Sequence, residues 1–200
     1  MAENVVLSPE QRSELTQEFI GLLQSTGREN IDNLITWLQE ETDFFIAPAS
    51  TAMHGAYECG LLVHSMNVYK LLLNFNKNIK CEREDSLIIA GLLHDLCKVN
   101  FYTKGVRNVK TPGKREWVEK EIYQIEDSLP LGHGEKSIYM IMKHILLTDE
   151  EAMAIRWHMG GYDDAARSYI GGRTQAAAFQ TYPLAPALSI ADMYATYFAD

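Results

Sequence analysis

Leu87-Ile88-Ile89-Ala90-Gly91-Leu92-Leu93-His94-Asp95-Leu96-Cys97-Lys98 is the stretch that decides the fold class. From Leu87 to Leu93 no side chain is polar, and a segment apolar nearly all round, from about Glu84 to Lys98, is expected to be a helix buried in the middle of the domain. Such a helix carries His94 and Asp95 into the interior at its end. A buried carboxylate is costly unless it is paired or bound to a cation. Imidazole and carboxylate together suit borderline divalent ions such as manganese, iron, nickel or zinc. By itself the pair proves little, because a core histidine hydrogen-bonded to a neighbour is the commoner arrangement.

Working outward, the segment from Gly60 to about Phe75 repeats Leu61, Leu62, Met66, Tyr69, Leu72 and Leu73 with helical period, and His64 sits among them. Upstream, Ser8-Pro9-Glu10-Gln11 combines an N-cap, a proline at the first helical position and an acidic first turn, followed by Leu15, Phe19, Leu22 and Leu23. A second helix is expected near Glu29, with Ile31, Leu34, Ile35 and Leu38 on one face, ending before Pro48. These two helices, residues 1–47, are expected to form an annex packed on a main unit of residues 48–200.

Downstream, Val106, Val109, Trp117, Val118, Ile122, Tyr123 and Ile125 flank Thr111-Pro112-Gly113, which predicts a short β-hairpin. Helix is expected from after Gly134 to about Leu147, and again from Thr148-Asp149-Glu150-Glu151 to Trp157, stopped by Gly160-Gly161. A loop is expected around Gly171-Gly172, and a last helix from Ala187 to Phe198, after Pro183 and Pro186, carries Asp192. The expected class is therefore an all-α helical bundle with a β-hairpin excursion.

The other histidines strengthen the case for a cluster. His64 stands on an otherwise apolar helix, His133 lies between Gly132 and Gly134, and His158 closes a helix before Met159-Gly160-Gly161. Asp192 interrupts the apolar run Ser189-Ile190-Ala191-Asp192-Met193. Polar residues at apolar faces and helix ends converge in helical bundles.

The order His64, His94-Asp95, Asp192 resembles the H, HD, D pattern of the HD superfamily, and His133 and His158 resemble the further ligands of its two-metal members. The resemblance implies an HD-domain bundle in which His64, His94, Asp95 and Asp192 hold one divalent ion. Asp95 would bridge to a second ion completed by His133 and His158. Two such ions, about 3.5–4 Å apart, would activate a hydroxide against a phosphoester. Lys98 matches the HDxxK extension, which implies a catalytic role beside Asp95 in holding a phosphate oxygen; a plain cation at a helix C-terminus reads equally well. The segment around His54 is similar to HHAxxGGLLxHS of HD-domain 3′-to-5′ exoribonucleases, an imperfect match with Cys59 in place of the first Gly. That implies a substrate contact for His54, against a surface histidine without a role. Arg173 could bind a phosphate from its loop or simply be solvated. His144 matches no ligand position and serves as a control.

Composition narrows the class further. With 200 residues, 46% of them hydrophobic and 22% charged, the chain fits a globular domain. No apolar run is long enough to span a bilayer and the N-terminus lacks a basic-then-apolar signal, so no membrane association and a cytoplasmic location are expected. Cys59, Cys81 and Cys97 lack CxxC spacing and read as buried thiols. A net charge of -9 disfavours long duplex nucleic acid as a partner. Between Leu96 and Arg115, however, there is no acidic residue, and Lys98, Lys104, Arg107, Lys110, Lys114 and Arg115 form either a solvated basic loop or a phosphate-collecting rim. The first expectation is hydrolysis of a nucleotide, a cyclic nucleotide or a short oligonucleotide. A two-iron oxygenase and a non-catalytic metal- or nucleotide-binding regulatory module stay open as alternatives.

Overall fold

Ser8 begins the first helix as its sequence demands: its hydroxyl accepts from the Gln11 amide, the Gln11 side chain accepts from the Ser8 amide, and Pro9 takes the first helical position. This is a computed structural model, and it describes residues 7–79, 83–110, 113 and 116–200. Helix α1 (Pro9–Ser25) is followed by α2 (Ile31–Glu40), α3 (Gly60–Ile79) and α4 (Glu84–Leu93). The antiparallel strands β1 (Tyr102–Lys110) and β2 (Trp117–Ile125) come next, then α5 (His133–Ile141), α6 (Asp149–Trp157), α7 (Tyr169–Thr181) and α8 (Leu184–Tyr194). The all-α bundle with one hairpin excursion is the architecture expected from the sequence.

Helix α4 is the axis of the bundle. All its residues from Ser86 to Leu93 are buried, and α1, α3, α6 and α8 pack around it. Gly91 allows a close approach to α3, since a Cβ there would lie 2.9 Å from the Tyr69 Cα. One hydrophobic cluster runs through the described residues, from Phe19 and Leu34 of the first two helices to Leu62, Leu92, Ile155 and Leu188. Burying a side chain of this size contributes about 1.5–3 kcal/mol.

Several boundaries differ from the expected ones. Helix α4 ends at Leu93 instead of Lys98, because Asp95 leaves helical backbone (φ -99, ψ 20), Leu96–Lys98 tighten into a 3-10 turn, and Asn100 adopts a positive φ of 50. Helix α5 starts at His133, one residue before Gly134, and stops at Ile141 instead of reaching Leu147. The expected Gly171-Gly172 loop is the first turn of α7: Ser168 caps it by accepting from the Gly171 amide at 3.0 Å, and a Cβ at Gly171 would collide with the Ala165 carbonyl. Helix α8 begins at Leu184, so Pro186 lies in its first turn, where its missing N–H costs nothing. A π-helical turn over Ala195–Ala199 takes the place of the expected continuation to Phe198.

The hairpin pairs Tyr102 with Ile125 through to Lys110 with Trp117. Most of it is exposed, including Val106, Trp117 and Val118. Thr111, Pro112, Lys114, Arg115 and Cys81 lie outside the described residues. No helix among the described residues is long and apolar enough to cross a membrane.

Candidate functional site

Asp95 lies where several helices meet. His64 projects from α3, His94 caps the C-terminus of α4 and Asp95 follows it; His133 opens α5, His158 caps the C-terminus of α6, and Asp192 comes from α8. A second close approach holds two of these elements together. A Cβ on Gly134 would sit 2.4 Å from the Arg156 carbonyl, so only glycine lets the start of α5 lie against the end of α6, beside His133 and His158.

The two oxygens of Asp95 face different imidazoles. Oδ2 lies 3.5 Å from Nε2 of His64 and 3.5 Å from Nε2 of His94. Oδ1 lies 2.8 Å from Nε2 of His133 and 3.6 Å from Nε2 of His158. Asp192 joins the first group, with Oδ1 at 3.1 Å from Nε2 of His64 and 3.9 Å from Nε2 of His94. All six residues predicted from the sequence as ligands are thus brought together.

Backbone carbonyls fix the imidazole tautomers. Nδ1–H of His94 donates to the Gly91 carbonyl at 3.0 Å, and Nδ1–H of His158 donates to the Ile155 carbonyl at 2.6 Å. A carbonyl only accepts, so in both neutral rings the bare Nε2 lone pair turns towards Asp95. The Nε2 of His158 is buried and has no hydrogen-bond partner among the described residues. His64 repeats the arrangement with a carboxylate: its Nδ1 is 2.5 Å from Oδ2 of Asp200, whose Oδ1 accepts from Asn67 at 2.9 Å. Lone pairs and carboxylates facing one another in a buried space need positive charge between them. This donor set fits a divalent cation: the triads His64, His94, Asp192 and His94, Asp95, His158 each bring ligand atoms within 4.8 Å of one another.

The protonation equilibria carry the same demand. Burial alone would lower the His64 pKa, but hydrogen bonds to Asp192 and Asp200 push it up to about 9. Burial drives His94 down to about 3. Burial would raise the Asp95 pKa, yet Lys98 and the surrounding imidazoles hold it well below the usual carboxylate range. Burial pushes the Cys97 thiol up to about 12, so it stays neutral where Sγ touches His133 at 3.4 Å.

A cavity of about 390 Å³ opens onto the cluster. Lys98 lines it, with Nζ 2.7 Å from Oδ2 of Asp95. His54 also lines it, its ring centroid 5.0 Å from that of His64 and its Nδ1 buried without a hydrogen-bond partner among the described residues. Arg173 is not brought to the site: it is exposed on α7, its guanidinium over the Tyr169 ring, because the glycines that suggested a loop are helical. Lys104, Arg107 and Lys110 are exposed along β1 and do not line the cavity; Lys114 and Arg115 lie outside the described residues. His144 stacks on Trp37 at 4.7 Å and belongs to none of the candidate ligand groups.

Sequence reasoning missed Asp200. No periodicity or motif marks it, and only folding brings it to His64. It also missed Tyr162 and Tyr197 at the cavity, which no local pattern sets apart.

Searches of curated proteins and of solved structures found no significant match. A family model for the HD domain matches residues 61–196, more than half of the 200 residues, with His64, His94, Asp95 and Asp192 all inside that span; the chain belongs to the HD domain family.

Proposed function

We propose that the chain is a metal-dependent phosphohydrolase acting on a small phosphorylated substrate. His64, His94, Asp95 and Asp192 would hold one divalent ion, of manganese, iron, nickel or zinc, and Asp95, His133 and His158 a second. The observation that carries this reading is the division of Asp95, one oxygen facing His64 and His94 and the other facing His133 and His158. Bound ions would supply Lewis acidity towards the phosphoryl group and lower the pKa of an attacking water.

The chain's own residues do the rest. The Gly91 and Ile155 carbonyls and the Asp200 carboxylate orient three imidazoles before any ligand arrives. Lys98 is held in place by Asp95, and its remaining protons face the cavity, where they meet a phosphoryl oxygen. Burial of the cluster keeps bulk water from screening these charges.

The test is reconstitution with manganese, iron, nickel and zinc, followed by metal analysis, phosphate release from a nucleotide panel, and oxygen consumption for the iron form. Failure to retain any metal, or oxygen uptake without phosphate release, would count against it. Lys98→Met is expected to lower kcat by about 10²-fold or more, the usual cost of one transition-state donor, with metal content unchanged. Asp200→Asn keeps the shape of the side chain but weakens its hold on His64. Metal affinity, measured by competition with a chelator, is expected to fall about 10-fold to 100-fold.

A further inference from the structure

The walls of the cavity are unlike its floor. Asp95, Lys98, His133 and Asp192 form the floor, whereas Tyr162, Tyr197, Met53, Met159 and Met193 build the sides. Tyr162 and Tyr197 are 61% and 57% exposed, yet their hydroxyls come within 3.5 Å of each other. Both lie in irregular backbone. Tyr162 ends the 3-10 turn Gly160–Tyr162, entered through Gly160 at a φ of 56, and Tyr197 lies in the π-helical turn that follows Asp192's helix. π-Turns recur at functional sites because they re-aim side chains that a regular helix would turn elsewhere. Two phenol rings and three thioethers at one mouth present surface suited to a flat aromatic ring.

Charge limits the other half of the ligand. Among the described residues lining the cavity, Lys98 is the only lysine or arginine. A triphosphate calls for a set of such cations, and an oligonucleotide for a basic groove along its backbone. The cavity volume also lies near the lower end of the range for small-molecule sites, roughly 300–1,000 Å³.

We propose that this cavity takes a nucleoside monophosphate, with its single phosphate beside Asp95 and Lys98 and its base against Tyr162, Tyr197 and the methionines. This rests on the phosphohydrolase reading. Water adds to phosphorus and the P–O bond to the sugar breaks. The sugar oxygen takes a proton from that water, giving nucleoside and orthophosphate.

The metal-reconstituted full chain is to be assayed with a nucleoside monophosphate, glycerol phosphate, a nucleoside triphosphate and a dinucleotide diester. The monophosphate is expected to exceed each of the others in kcat/KM by about 10-fold or more, the size of one base stack. In a Tyr162→Ala, Tyr197→Ala double variant, KM for the monophosphate rises about 10-fold and its advantage over glycerol phosphate collapses towards one. The Tyr162→Phe, Tyr197→Phe pair should restore it, which separates stacking from a folding defect. Preference for the triphosphate or the diester, or discrimination that survives the alanine pair, overturns the ligand assignment alone. Absence of hydrolysis of all four, read as release of phosphate or, for the diester, of nucleoside and nucleotide, overturns the phosphohydrolase reading. In that case calorimetric binding still decides the cavity, where nucleoside monophosphate must bind more tightly than glycerol phosphate.

Discussion

Asp95→Asn is expected, if Asp95 bridges two ions as proposed, to abolish divalent-ion binding and turnover together. The amide is nearly the same size, so packing around α4 is preserved. It nevertheless replaces a charged group with two accepting oxygens by a neutral one with a single accepting oxygen. Because Oδ1 and Oδ2 face separate pairs of imidazoles, an amide serves one pair at most and turns an N–H towards the other. Metal content measured after reconstitution should fall for both sites, and kcat by about 10³-fold or more, beyond the cost of a single lost donor. His144→Ala is the matched control. It removes a ring stacked on Trp37, at a cost of about 0.5–1.5 kcal/mol in stability, and leaves metal content and turnover unchanged. Full metal occupancy in the Asp95 variant, or equal damage in the control, would show that the ligands have been misassigned.

The parts of this site legible in the sequence are those in which a polar residue interrupts an apolar pattern. His64 on α3 and His94-Asp95 after α4 stand where burial of the neighbours forces burial of the polar group, and a buried polar group needs a partner; Asp192, half-buried on α8, was readable as a polar break in an apolar run. His133 and His158 were readable because each lies at a helix end marked by glycine. Helix boundaries were less readable. Gly171-Gly172 suggested a loop from composition, but the Ser168 cap and close packing on Ala165 outweigh the intrinsic cost of glycine in a helix. Asp200 and the tyrosines of the cavity were illegible for another reason. Their roles depend on which segments meet across the bundle, as in the 136-residue separation of His64 and Asp200, and no local pattern encodes such a meeting.

Arg28→Ala is expected to destabilise the fold more than any other single truncation of a charged side chain outside the metal cluster. Arg28, in the loop between α1 and α2, reaches the first turns of two helices. Its Nε is 2.8 Å from Oδ2 of Asp85 on α4, and its guanidinium also pairs with Glu151 on α6. Glu151 is fully buried, and it further accepts from Ser86 at 2.6 Å and from the Thr148 amide at 2.9 Å. Removing Arg28 leaves that carboxylate without its counter-charge, which typically costs about 3–5 kcal/mol. For a chain of this size this corresponds to a fall in Tm of roughly 10 °C. Arg28→Lys should fall in between, because an ammonium cannot reach both carboxylates in the forked geometry of a guanidinium. Acid should weaken the same clamp: Arg83 and Arg28 hold Asp85 at about 2, below its unfolded value of about 3.9, so its contribution is present above that unfolded value and lost as pH falls through about 2. The clamp also bears on the metal centre. Helices α4 and α6 start at this cluster and end at His94 and His158, so loosening their first turns lets the two imidazoles drift relative to Asp95. Metal affinity should therefore drop with stability in Arg28→Ala. If melting of the metal-free protein is unchanged, the cluster is not the anchor described here; if stability falls while metal affinity holds, α4 and α6 keep their ligand ends in place without it.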